Sequence, residues 1–152
     1  MRCYSVTMLE RESGVVFVVD DEEMITSSLG MILGREGFDV HGFTNPLKAL
    51  ERMETVGPDV LISDVMMPQL NGFDLAIKTK VARPDCRILL FSAAAYDLSK
   101  EAWADGHDFR LLQKPVHPEI LLREIAMLQA NREDEMELGL MLRADLDPMP
   151  YE

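Results

Sequence analysis

Five polar residues in this chain have the types and spacing to do chemistry: Asp20, Asp21, Asp64, Ser92 and Lys114. Each directly follows a short apolar run, in VVFVV-DD, DVLIS-D, RILLF-S and FRLLQ-K. Three carboxylates suit a hard divalent cation, which prefers oxygen ligands. A hydroxyl and an ammonium suit the oxygens of a phosphoryl group, to which both can donate. Residues so far apart in sequence act together only if the fold brings the ends of those runs to one place.

The runs have the form that does this. Short β-branched and aliphatic stretches bounded by turn signals read as buried strands. The pattern predicts strands over Val15–Val19, Phe38–Phe43, Val60–Ser63, Ile88–Phe91 and Phe109–Gln113. Between them lie helical patterns from about Glu22 to Glu36, from Asn45-Pro46 to Gly57-Pro58, over Gly72–Val81 and over Leu98–Asp105, and Glu119–Gln129 closes the series. In the first helix Met24, Ile25, Leu29, Ile32 and Leu33 are expected on the inner face; in the second, Leu47, Leu50 and Met53; in the last, Ile120, Leu121, Ile125 and Leu128. Asp20 and Glu23 have capping-box spacing, and Gly72 reads as a tight turn before the third helix. Repeated strand–helix alternation implies right-handed crossovers and a parallel sheet covered on both faces, a (βα)5 doubly wound α/β fold. The flavodoxin-like strand order 2-1-3-4-5 makes the first and third strands neighbours, so Asp20, Asp21 and Asp64 meet at the switch point.

Composition narrows the class. The chain has 152 residues, 47% hydrophobic, enough for one domain with a substantial core. A net charge of -12 works against a nucleic-acid surface. Cys3 and Cys86 lack metal or redox spacing and fit a reduced, cytoplasmic setting; the polar N-terminus does not read as a signal peptide, and no apolar run is long enough for a bilayer. The expected organisation is an N-terminal extension over 1–13, the α/β domain over 14–130, and a tail over 131–152 with seven acidic residues against Arg132 and Arg143, with no output domain. His41, His107 and His117 are scattered without ligand spacing, and Tyr96 and Trp103 stand near the fourth helix as surface candidates.

From about Gly14 to Ala130 the chain resembles the receiver domain of bacterial two-component response regulators, of the chemotaxis-receiver type. The matching pieces are VVDDEE (Val18–Glu23), LISDVMMPQLNGFDL (Leu61–Leu75), FSA (Phe91–Ala93) and LLQKP (Leu111–Pro115). The resemblance implies that Asp64 accepts a phosphoryl group from a histidine kinase or phosphotransfer protein. It implies that Asp20, Asp21, Asp64 and the main-chain carbonyl of Met66 hold Mg²⁺, that Ser92 and Lys114 contact phosphoryl oxygens, and that the Lys114–Pro115 bond is cis. With no output domain expected, the chain reads as a stand-alone switch, read by an unidentified output protein on the face of the fourth helix, fifth strand and fifth helix. The chain departs from the pattern in two places. Leu111 stands where an aromatic residue usually reports phosphorylation, and Gly106–Pro115 is one residue longer than usual. Met66 and Ala94, flanking the expected path of a hydrolytic water, cannot orient that water, which points to slow self-dephosphorylation. Two rival readings stay open: a Mg²⁺-dependent phosphohydrolase on the same architecture, disfavoured by the lack of a cap domain or DxD loop, and a scaffold or fragment of a larger hybrid kinase.

Overall fold

The computed structural model describes residues 14–93 and 109–127. The chain separates into two compact units, Met1–Val116 and His117–Glu152. In the first, β1 (Val15–Val19), β2 (Asp39–Phe43), β3 (Val60–Asp64), β4 (Arg87–Ser92) and β5 (Arg110–Gln113) form one sheet in the order β2-β1-β3-β4-β5. Every strand pairing is parallel. The helices are α1 (Glu23–Arg35), α2 (Pro46–Arg52) and α3 (Gly72–Ala82).

The three inner strands are buried almost end to end, as their unbroken apolar runs require of a sheet covered on both faces. Alternation then divides the core. Phe17, Val19, Leu61, Ile88 and Leu90 join Ala49 and Met53 of the α2 region and Phe73, Leu75 and Ala76 of α3 in one cluster. Val16, Val18, Val60, Ile62 and Leu89 point the other way and are equally buried. The edge strands β2 and β5 are only partly covered.

Local signals fix where the helices begin and end. Asn45 Oδ1 accepts from Leu47 N at 2.8 Å with Pro46 at the first helical position, and Asn71 Oδ1 accepts from Asp74 N at 2.8 Å. At the end of α1, Gly37 takes φ 97° while its N–H bonds to Gly34 O and Phe38 N to Leu33 O, the paired bonds of a Schellman ending.

Some expectations fail for geometric reasons. Met24 is 80% exposed, since nine helical steps of about 100° place it opposite the fully buried Leu33; Thr26 is buried on the inner side instead. Leu47 is exposed because two steps turn it away from buried Ala49, and α2 buries Pro46 and Ala49. The capping box does not form: α1 is preceded by Glu22, whose side chain makes no capping bond, and Asp20 Oδ1 accepts from Glu22 N at 2.9 Å. Gly72 has no positive φ; it opens α3 directly, and its lack of a side chain serves a close approach described below.

In the second unit a helix spans residues 118–127, with Leu121 and Ile125 buried and Ile120 exposed one step off that seam. His117 Nδ1 accepts from Glu119 N at 3.1 Å, so this histidine caps its helix. The expected fourth helix, Tyr96, Trp103, His107, the extension 1–13 and the tail 131–152 lie outside the described residues, as do Cys3, Ala94 and Leu128.

Candidate functional site

All five sequence-selected residues stand at the carboxyl edge of the sheet. Asp20 and Asp21 follow β1, Asp64 ends β3, Ser92 ends β4 and Lys114 follows β5. Asp64 and Ser92 are thus the last residues of their strands rather than the first beyond them. The backbone holds these ends together: Asp20 N bonds to Phe43 O at 3.0 Å, Asp64 is in register with Phe91, and Lys114 N bonds to Ser92 O at 2.8 Å.

Carboxylate oxygens of Asp20, Asp21 and Asp64 lie within 4.8 Å of one another. Asp20 and Asp64 are buried and Asp21 is exposed, so the cluster opens to solvent on the Asp21 side. Lys114 Nζ stands 3.1 Å from Asp20 Oδ2 and 3.4 Å from Asp64 Oδ2. The Lys114–Pro115 peptide bond is cis.

Burial pushes the Asp64 carboxyl above the ordinary aspartate range; the Lys114 ammonium opposes this, and the Asp20 charge adds to it. Met66 N–H also donates to the Asp64 carboxylate and favours its ionised form. Burial works against the Lys114 ammonium, but its hydrogen bond to Asp20 and the charges of Asp20 and Asp64 outweigh that and raise its pKa. One half-buried ammonium therefore serves as counter-ion to two carboxylates, leaving the trio with excess negative charge.

Ser92 is placed beside the cluster, with its hydroxyl donating to Ala93 O at 2.8 Å. Met66 follows Asp64 by two residues and is 65% exposed, while Met67 packs against the core. Leu111 is half-buried against the core opposite Leu90, and Phe109 is buried with its ring 6.5 Å from that of Phe73. Phe109 is therefore a core residue and does not replace the missing aromatic at Leu111. His41 lies 3.4 Å from Asp39 and outside the acidic group.

A family model described as the response regulator receiver domain matches residues 16–126. The chain belongs to the response regulator receiver family. Among similar proteins, the alkaline phosphatase synthesis transcriptional regulatory protein PhoP of Bacillus subtilis is 32% identical over 149 residues, covering 89% of this chain and 60% of the relative. A cyclic di-GMP phosphodiesterase of Thermotoga maritima is 34% identical over 121 residues, covering 77% of this chain and 31% of the relative. The chain thus spans between about a third and 60% of these curated relatives. Among solved structures, a CheY-like receiver domain protein of Methanospirillum hungatei has TM-score 0.74 at 26% identity, covering 80% of this chain and 98% of that one. A BeF3-activated DrrB receiver domain has TM-score 0.66 at 27% identity, covering 76% and 96%.

As a receiver, the chain is a two-component signalling protein. Its acidic trio can hold a metal ion: the donors are all hard oxygens, they are close enough to share one cation, and they are under-neutralised without it. Among the described residues, no helix is long and apolar enough to cross a membrane.

Sequence reasoning passed over Ser63 and misread Gly72. Ser63 is fully buried, and its Oγ donates to Asp64 O at 2.8 Å. The available signal was a lone hydroxyl inside the aliphatic run VLIS. It also missed Gln69, which takes φ 69° while Leu70 N bonds to Pro68 O at 2.7 Å, a strained γ-turn in the loop after Asp64.

Proposed function

We propose that this receiver accepts a phosphoryl group onto the Asp64 carboxylate from a phosphohistidine of a kinase or phosphotransfer protein in the cytoplasm. An Asp64 oxygen attacks phosphorus, the phosphorus–nitrogen bond breaks, and the imidazole leaves with a proton from solvent. The observation that carries this is Lys114 Nζ set between Asp20 and Asp64, beside the exposed Asp21, at the meeting of neighbouring strand ends. Phosphoryl transfer asks a protein mainly for position and for neutralisation of oxygen charge. Mg²⁺, held by Asp20, Asp21, Asp64 and the carbonyl of Met66, would supply part of that neutralisation.

The chain's own residues supply the rest. Lys114 moves its ammonium from Asp64 to the new phosphoryl oxygens, where the same charge is needed. Ser92 exchanges the Ala93 carbonyl for a phosphoryl oxygen as acceptor. Both shifts pull on the ends of β4 and β5, and a protein partner reads the change at the expected face of the fourth helix, fifth strand and fifth helix. Hydrolysis of the acyl phosphate by water returns the Asp64 carboxylate and inorganic phosphate.

The test is intact-mass analysis of the purified protein after acetyl phosphate with Mg²⁺. The expected result is one added phosphoryl group, lost with chelator and absent in Asp64→Asn. Sustained turnover of a free phosphoester, with no covalent protein adduct, would instead favour the phosphohydrolase reading.

A further inference from the structure

We propose that Ser63 and Gly72 are positioning residues for the phosphoacceptor, acting through the two peptide planes that follow Asp64. This deepens the proposed function and rests on Asp64 being the nucleophile.

Both planes are tied by hydrogen bonds. In the first, Asp64 O accepts from Ser63 Oγ at 2.8 Å, and Val65 N donates to Phe91 O at 3.0 Å. In the second, Val65 O accepts from Gly72 N at 2.8 Å. The Met66 N–H, which favours the ionised form of the Asp64 carboxylate, belongs to the same rigid peptide as the carbonyl held by Gly72. Any tilt at Gly72 is delivered to the main chain that carries Asp64, and to that of Met66, whose carbonyl is the proposed metal ligand.

Gly72 is needed for proximity. Its backbone is not in the left-handed region, so conformation alone would accept alanine. A Cβ there would overlap the main-chain oxygen of Asp64 and stand 2.9 Å from Val65 Cα. Both obstacles are backbone at the end of a buried strand and cannot swing aside. A methyl group must lift the first turn of α3 or rotate both planes. Ser63 works from a position sealed from solvent within β3. Its hydroxyl keeps the Asp64 carbonyl, at a strand end, from depending on water for its hydrogen bond.

The experiment compares wild type, Asp64→Asn, Gly72→Ala, Ser63→Ala and Ser63→Thr in the full chain. It reads the rate of acetyl phosphate labelling, Mg²⁺ affinity, the ¹⁹F resonances of the fluoroberyllate adduct, and thermal melting. Displacements of under an ångström at a reacting group cost about tenfold or more. Gly72→Ala should therefore label at least about tenfold more slowly, bind Mg²⁺ less tightly and shift the adduct resonances, while still melting cooperatively. Ser63→Ala should slow labelling several-fold, and Ser63→Thr, which keeps the hydroxyl, should restore it. If Gly72→Ala fails to fold, the Ser63 pair decides alone: slow alanine with restored threonine supports the proposal, and equal rates overturn it. Folded Gly72→Ala or Ser63→Ala with wild-type rate and resonances overturns the proposal while the wild type still labels. A wild type that takes no label, like Asp64→Asn, overturns the function reading on which the proposal stands.

Discussion

At the residue scale the decisive feature is crowding of charge. Asp64 is buried with Asp20 alongside, and Lys114 is shared between them, so ionised Asp64 is less favourable in the fold than in the unfolded chain. For a carboxyl raised by folding, the native state binds the proton more tightly. Its ionisation therefore costs stability as pH rises from the ordinary aspartate range through the raised pKa. Asp64→Asn should consequently melt higher than wild type in chelator, by roughly 2–4 °C for each kcal/mol relieved. Added Mg²⁺ should stabilise the wild type and shrink or reverse the gap, because binding to the native state alone raises stability. Calorimetry of both proteins with and without Mg²⁺ checks this. A mutant that melts lower in chelator would mean that the lost Lys114 contact outweighs the crowding. Met66 supports a second prediction at this scale. Its thioether chain is exposed beside Asp64 and cannot orient a water. Met66→Asn should thus speed decay of the acyl phosphate by several-fold, below the roughly 10²–10⁴-fold of general acid–base catalysis, because an amide orients a water without taking its proton. An unchanged decay would show that the position does not govern access of water.

At the scale of elements, the loop between Asp64 and α3 concentrates strain. Gln69 sits at the centre of a γ-turn with φ 69°, a conformation costing about 1–2 kcal/mol for a residue with a side chain. Gln69→Gly should recover part of this, against a glycine entropy cost of roughly 0.5–1 kcal/mol, and leave a small net gain in stability. Denaturant unfolding measures it, and a loss above 1 kcal/mol would show that the glutamine side chain makes its own contribution. Next to it, Asn71 caps the helix that carries Gly72, so Asn71→Ala should destabilise the chain by about 1 kcal/mol. These elements also show where sequence was a sufficient guide. Strands β1, β3 and β4 were legible because residues buried on both faces leave one long apolar signature, and their ends announced Asp20, Asp64 and Ser92. Which helix side faces the sheet was less legible. A wide apolar pattern contains more hydrophobic residues than the inner face admits, so Met24 and Leu47 turned outward while Thr26 and Ala49 turned in. The Gln69 turn was not legible, Ser63 showed only as a lone hydroxyl in an aliphatic run, and Gly72 showed as a turn residue without its close approach to Asp64. Their importance lies in main-chain hydrogen bonds and close approach between segments, which residue type does not encode.

At the scale of the whole molecule, the parallel order β2-β1-β3-β4-β5 does the gathering. It sets β3 between β1 and β4 and puts β5 outside β4, so that residues 20, 64, 92 and 114 meet at one edge without any being near another in sequence. Family membership, strand order and cis Lys114–Pro115 bond agree with one another. The central claim concerns which atom in this gathered set takes the phosphoryl group. Borohydride reduction of the acetyl phosphate-treated protein converts an aspartyl phosphate into homoserine, which peptide mass spectrometry then locates. The account predicts homoserine at position 64, dependent on Mg²⁺ and on the donor. Homoserine at position 20 or 21, or label that survives reduction at another residue type, would contradict it.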